Sequence, residues 1–465
     1  MIAAHGESSH PAAAATPSRD WRALVRRIWV PAVLALVALL SSGLAVASHE
    51  QSFSPMDEYN YYDYLIRMPD QIVMHTGENT TVETREQLSC YGVLGFGTTM
   101  GPACGDDYGN PLNYVFQGKN TSSGYTPAYF LLTYGASTVV RALTGISPLA
   151  AYRFTGGLWL AATMIVFYLL LRRFGVNKLV ILGLGGVLIA APFTWLAHTF
   201  ISTDASLLFF GTLLVLAAVK VARREWWAWV FVLLSILAAV FKGTSLSAVL
   251  IGGLLLIALS FLRAPTGFSR TGRSRAVHRW RALIVAGLSV VAFYAVQRAW
   301  VEIQVRSTVA AAPNQGVPSV QLTPWVMAKL AGSMAVDPIN QSIDPAPGAT
   351  HSNLYPMPVV LTLALSALCV IGLLLPLAFR SGAALRVLRW PVLLGYLGGP
   401  LMTAVGMALG GRYYDLQPRY GAVGLPAVML MIGLMARPKW ARILVCAFGG
   451  VLIVWNFGYS ISLLA

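Results

Sequence analysis

Apolar residues run along this chain in blocks of about 20, the length that crosses a bilayer core as a helix, and polar residues collect between the blocks. The first block, Trp29 to Val46, follows a polar, Arg-bearing start. It is too long for a signal-peptide core and lacks a persuasive cleavage site, so it reads as an uncleaved first span. Further blocks predict spans near 150–171, 179–197, 204–222, 226–241, 244–262, 281–299, 356–378, 390–409, 420–436 and 441–460. The expected fold is an all-α polytopic membrane protein with about eleven transmembrane helices.

The segment 126–144 is apolar enough to suggest a twelfth span, and the basic residues decide against it. Cytoplasmic loops collect Lys and Arg. With the N-terminus inside and eleven spans, the inside segments are 1–28, 172–178, 220–225, 263–281, 380–389 and 437–442. They hold 22 of the 33 Lys and Arg but only 3 of the 18 Asp and Glu. A span at 126–144 would invert every later loop and put the run "RAPTGFSRTGRSRAVHRWR" outside. The segment is therefore expected to dip into, or lie on, the outer interface.

This places a cytoplasmic tail at 1–28, a first span at 29–47 and an extracytoplasmic loop at 48–147. Spans two to seven fill 148–300, a second outer loop covers 301–355, and the last four spans occupy 356–465. Long loops are often functional, and here both face one side. The compartment is a cell inner or plasma membrane.

Composition agrees. The chain is 56% hydrophobic and 11% charged, whereas soluble domains carry roughly 25% charged residues. Most of the net charge of +15 is topology signal facing anionic inner-leaflet lipid, so it implies a bilayer and no nucleic acid. Cys90 and Cys104 share the outer loop, in "LSCYGVLGFGTTMGPACGDD", where an oxidising compartment favours a bridge over two free thiols. A zinc site lacks paired ligand spacing.

The chemistry-bearing residues cluster at the outer ends of spans. Asp57 and Glu58, in "SPMDEYNYYDY", follow span one; Asp204 opens span four and Lys242 closes span five. Arg412, Asp415 and Arg419, in "GGRYYDLQPRYGAVGLP", precede span ten. Charges at a bilayer edge cost free energy unless they are paired or face a wet cavity. Their gathering at one depth on one side is what an active site at the outer surface needs. Each also has a plainer reading: Asp57 and Glu58 as helix-start acids, Asp204 as a cap, Lys242 as a snorkelling lysine. Arg419 would then only anchor its span, and Arg412 would pair with Asp415. No predicted span carries an acid in its middle, which weighs against a proton-coupled carrier.

In order, side and spacing these residues resemble the GT-C superfamily of integral membrane glycosyltransferases, of the lipid A aminoarabinose transferase and protein O-mannosyltransferase type. "MDEYNYYDY" is similar to that family's acidic pair after span one, and "YTPAYFLLTYG" to its juxtamembrane stretch, with a His and one Pro missing. "YRFTGGLWLAA" loosely resembles its entry to span two; "STDASLLFF" and "FKGTSLSAV" resemble its motifs at spans four and five. Arg419, Tyr420 and Pro426 echo its late Arg-Tyr motif. The likeness covers about 30–262 and the stretch around 410–430.

The resemblance implies transfer of a sugar from a polyprenyl-phosphate donor to an acceptor hydroxyl on the extracytoplasmic face, with inversion, in cell-envelope assembly. The acceptor is a glycan, a glycolipid or a protein. Asp57 is then the candidate general base, and Lys242 and Arg419 the candidate phosphate holders. Arg412, Asp204 and Tyr61 complete the substrate-binding set, with Tyr61, Tyr62 and Tyr64 suited to stack on sugar faces. Glu58 would orient Asp57, bind a divalent metal ion or engage sugar hydroxyls, and the residues leave these three open. A transporter or flippase, or a polymerase of lipid-linked saccharides, remains the alternative.

Overall fold

A computed structural model of the chain describes residues 21–49, 51–55, 57–261, 275–311, 323–339, 355–378, 382–410 and 417–464. Among them there are helices, short 3-10 turns and isolated bridges, and no strands. That is the economical solution in lipid, where a helix satisfies its own backbone polar groups. In chain order the helices are α1 (Trp21–Ser48), α2 (Glu58–Arg67), α3 (Val82–Tyr91), α4 (Ala128–Thr144), α5 (Pro148–Arg173) and α6 (Lys178–Ala190). Next come α7 (Pro192–Thr199), α8 (Ala205–Ala222), α9 (Ala228–Phe241), α10 (Leu246–Phe261), α11 (Arg275–Arg306) and α12 (Pro324–Val336). The last are α13 (Val359–Ala378), α14 (Ala383–Gly395), α15 (Gly398–Gly410), α16 (Leu425–Met435) and α17 (Lys439–Ser462).

Among the described residues nine helices are long and apolar enough to cross a membrane, or ten if the bent pair α6–α7 is one span. The chain is a multi-pass α-helical membrane protein. The core centres on α8, packed between α5 and α10; α1 lies along α5, α17 along α6, and α11 and α14 flank α10. Small residues permit the closest approach: a Cβ on Gly183 of α6 would strike the Val445–Cys446 backbone of α17, and one on Gly449 of α17 would strike the backbone of Gly183.

Three local features depart from uninterrupted spans, each with a physical cause. The stretch expected as one span at 179–197 bends by 63° between α6 and α7. Pro192 has no N–H to continue the ladder and forces Ala191 into an extended conformation (φ −63°, ψ 141°), so the helix stops and restarts with proline in its first turn. Every residue of α7 is buried, which shields the broken backbone from lipid. α9 has only 14 residues, about 21 Å at 1.5 Å per residue. It ends at Lys242, whose backbone is extended (φ −157°, ψ 118°), before a 3-10 turn at Gly243–Ser245 leads into α10. The span expected at 420–436 begins as a 3-10 stretch, Pro418–Gly424, and turns α-helical only at Leu425.

The loop at 48–147, expected outside, is itself folded. α2 and α3 pack together, and α4 lays Tyr129, Phe130, Thr133 and Ser137 inward along one face while Leu143, on the other, is 80% exposed. Cys90, near the end of α3, is joined to Cys104. Closing a loop of this size contributes about 3 kcal/mol in the chain-entropy account. Peptide mapping without reductant, on protein matured in an oxidising compartment, is expected to recover the two peptides linked. Recovery of two free thiols would remove the bridge.

Candidate functional site

Asp57 is the residue before α2, and its backbone is left-handed (φ 63°, ψ 13°). Aspartate is among the few non-glycine types that visit this region routinely, at a cost of roughly 1–2 kcal/mol. The turn is held from outside. Glu58, fully buried, accepts hydrogen bonds from Arg153 Nε at 2.8 Å and Nη2 at 2.9 Å, and from the backbone N–H groups of Ser54 at 2.7 Å and Ile201 at 2.9 Å. Arg153 also donates to the Ser52 carbonyl at 2.7 Å and lies over the Phe200 ring. One carboxylate thus ties the chain after α1, the first turn of α2, α5 and the strap before α8 into a single knot.

Of the three roles open to Glu58, this geometry favours positioning. Both of its oxygens are engaged by protein donors. Among the described residues no group of three or more His, Cys, Asp or Glu converges to hold a metal ion.

Asp63 is a second structural anchor. Its Oδ1 accepts from the Thr81 N–H at 2.6 Å and from the hydroxyls of Thr81 and Thr84 at 2.8 and 3.0 Å; its Oδ2 accepts from Asn120 at 2.8 Å and Arg67 at 3.1 Å. Five donors on one buried carboxylate fasten α2 to the rest of the 48–147 loop. The tyrosines of α2 are packed in a similar way. Tyr61 is 3% exposed, edge-on to Tyr125 and tilted against Phe130, with its hydroxyl on Tyr125 Oη at 3.1 Å. Tyr64 stacks on Phe130, and Tyr62 is wedged between Phe53 and Tyr152. Aromatic neighbours occupy these rings, so the expected stacking on sugar faces is corrected: Tyr61, Tyr62 and Tyr64 form the wall that supports the site.

The cations come from three distant parts of the chain. Asp204, just before α8, is 4% exposed in its side chain; its Oδ1 lies 2.7 Å from Lys242 Nζ and its Oδ2 lies 3.2 Å from Arg419 Nε. Lys242 donates to Thr203 Oγ1 at 2.6 Å, with its ammonium 4.6 Å from the Tyr125 ring centroid and 5.5 Å from that of Tyr420. Arg419 donates to Gln417 Oε1 at 2.8 Å and lies over Tyr420. Packing fixes its approach: Gly211 of α8 meets the Val423 carbonyl so closely that any side chain there would push the Pro418–Gly424 stretch, and Arg419 with it, away. Arg412 and Asp415 lie outside the described residues.

Asp57 completes the group electrostatically. Burial pushes its carboxyl above the usual carboxylate range; Arg419 and Lys242 nearby oppose that rise and Asp204 adds to it. Among the described contacts its carboxylate joins no ion pair and caps no helix N–H. Lys242 and Arg419 thus meet at Asp204, and both act on Asp57 as well. Burial among aromatic rings raises the Tyr61 phenol well above its ordinary value, so it stays neutral.

Arg153, Tyr125 and Tyr420 appear in the sequence only inside motifs, with no role that the motifs assign them. Arg153 carried a usable signal: a cation at the same end of a span as Lys242, where the positive-inside trend expects few. No protein-family model matches this chain, and no curated protein does either.

Proposed function

We propose that the chain is a membrane glycosyltransferase of the GT-C type. It moves a sugar from a polyprenyl-phosphate donor to an acceptor hydroxyl at the extracytoplasmic face of a cell inner or plasma membrane, with inversion. The N-terminus is then cytoplasmic, and α9 and the bent α6–α7 pair count among eleven spans. One observation supports this reading: the Asp57 carboxylate, presented on a left-handed turn, lies within the electrostatic reach of two buried cations, Lys242 and Arg419, that meet at Asp204. A donor phosphate is the anion that such paired cations suit.

In this reading Asp57 takes the proton of the acceptor hydroxyl as its oxygen attacks the anomeric carbon. The bond from that carbon to the donor phosphate breaks, and its electron pair stays on the phosphate oxygen. Lys242 and Arg419 stabilise the growing charge, which is worth more in a water-poor site than in solution. Asp204 aligns both cations, and Glu58 with Arg153 holds the turn that presents Asp57.

The broken helices favour a second reading, since interrupted helices at a buried site also occur in carriers. One assay separates the two. Purified protein is incubated with radiolabelled polyprenyl-phosphate sugar and a membrane extract. Label moving to a new acceptor supports transfer; label crossing the bilayer unchanged supports a carrier.

Lys242→Gln and Arg419→Gln are each expected to raise the donor KM. Loss of a charge-assisted contact costs about 1.5–3 kcal/mol, which corresponds to roughly tenfold to a hundredfold. Folded variants with unchanged donor kinetics would reduce both residues to helix anchors.

A further inference from the structure

At the end of the bundle opposite Asp57, a cavity of about 560 Å³ is lined by Arg172, Lys178, Arg437 and Arg442 and, among the described residues, by no acid. Its walls are the last turn of α5, the start of α6, the end of α16 and the start of α17. Arg153 and Arg172 lie 19 residues apart on α5, about 28 Å at 1.5 Å per residue, so most of a bilayer core separates the cavity from the Asp57 cluster.

Basic residues at this end are expected from topology alone, and several are accounted for locally. Arg173 pairs with Glu225, and Lys220 lies over the Trp226 ring at 4.4 Å. The cavity residues differ because they converge. Arg172 spends one donor on the Val176 carbonyl at 3.0 Å. Arg442 keeps a buried Nε with no hydrogen-bond partner, and no side-chain contact of Arg437 with an acid appears among the described residues. Arg172, Arg437 and Arg442 around one hollow repel each other unless an anion enters, and Glu225 is already engaged elsewhere.

The rim identifies the source of that anion. Trp29 underlies Lys178 at 5.7 Å and is 37% exposed, and Trp440 stands exposed between Arg437 and Arg442 on the chain. Exposed Leu179 adjoins them. Tryptophans beside cations at the end of apolar helices mark headgroup depth. We propose that this cavity binds the phosphate headgroup of an anionic phospholipid, its acyl chains lying along α6 and α17. The volume is within the range of small-molecule sites, about 300–1,000 Å³.

The test uses the full chain in nanodiscs of phosphatidylcholine containing a photoactivatable phosphatidylglycerol. Crosslinks are expected in peptides covering both 172–178 and 433–442. The variant Arg437→Gln/Arg442→Gln should reduce them at equal lipid content, by about fivefold per arginine removed. Arg281→Gln, an exposed cation that does not line the cavity, is the control and should leave them unchanged. A parallel arm adds inorganic phosphate to the detergent-solubilised chain. Thermal stabilisation there, lost in the double variant and without any phosphatidylglycerol preference, would assign the cavity to a soluble phosphate and overturn the lipid source. Crosslinks confined to the lipid-facing surface of α11 in the unmodified chain, with no effect of phosphate, would overturn the site itself. That readout does not depend on any variant folding.

Discussion

Asp57→Asn is expected to abolish transfer while leaving the fold and donor binding nearly intact. Asparagine keeps the size of aspartate and tolerates the same left-handed backbone (φ 63°), so the change removes basicity without disturbing the turn. General-base contributions amount to about 10²–10⁴-fold, and the loss in kcat should fall in or above that range. Retention of more than about a tenth of the rate would rule out Asp57 as the base, because the smallest expected loss is about a hundredfold. A pH profile gives a second, independent readout. The base works only when ionised, and burial raises its pKa while Arg419 and Lys242 oppose the rise. As pH falls, kcat/KM should therefore drop at a higher pH than an exposed aspartate would give. Lys242→Gln removes one opposing charge, so it should move this acidic limb to still higher pH. A limb that stays in place would show that the charge of Lys242 does not act on the reacting carboxyl.

The membrane-embedded, helical character of the chain was legible because it depends on local composition: each apolar block gives one helix wherever its neighbours lie. The interruptions were less legible. Pro192 sits inside a continuous apolar run, so hydropathy reads 179–197 as one span, although the missing N–H and the restricted residue before it break the helix there. The outer-end charges were found because a charge near a bilayer edge is costly wherever it sits. Their pairing was not. Glu58 meets Arg153 across 95 residues, and Asp204 joins Lys242 and Arg419 from separate helices; no local pattern encodes such contacts. Hence Lys242 and Arg419 were expected as cations free for phosphate, yet each already contacts Asp204. The tyrosines of α2 looked available because aromatic residues at an interface are ambiguous, and Phe53, Tyr125, Phe130 and Tyr152, supplied by other segments, cover them.

The Glu58–Arg153 pair carries the other large expected effect, this time on stability. Both side chains are at most 2% exposed, and breaking such a pair by removing one partner costs about 3–5 kcal/mol, because the remaining charge stays buried. Arg153→Ala is therefore expected to lower the thermal midpoint strongly, leaving Glu58 with only the N–H groups of Ser54 and Ile201. Glu58→Gln should cost less, since an amide oxygen still accepts from one of those N–H groups. The double variant should cost less than the sum of the two, because neither charge is then stranded. Arg153→Lys tests positioning directly. It keeps the charge but loses the two-pronged fork, so the fold should survive while the Asp57 turn loosens and kcat falls with little change in donor KM. If Glu58 instead touched substrate, Glu58→Gln would raise KM at unchanged stability, and Arg153→Lys would leave kcat alone. An Arg153→Ala variant that melts with the unmodified chain would show that the knot does not hold the turn, and the account of how Asp57 is presented would fall with it.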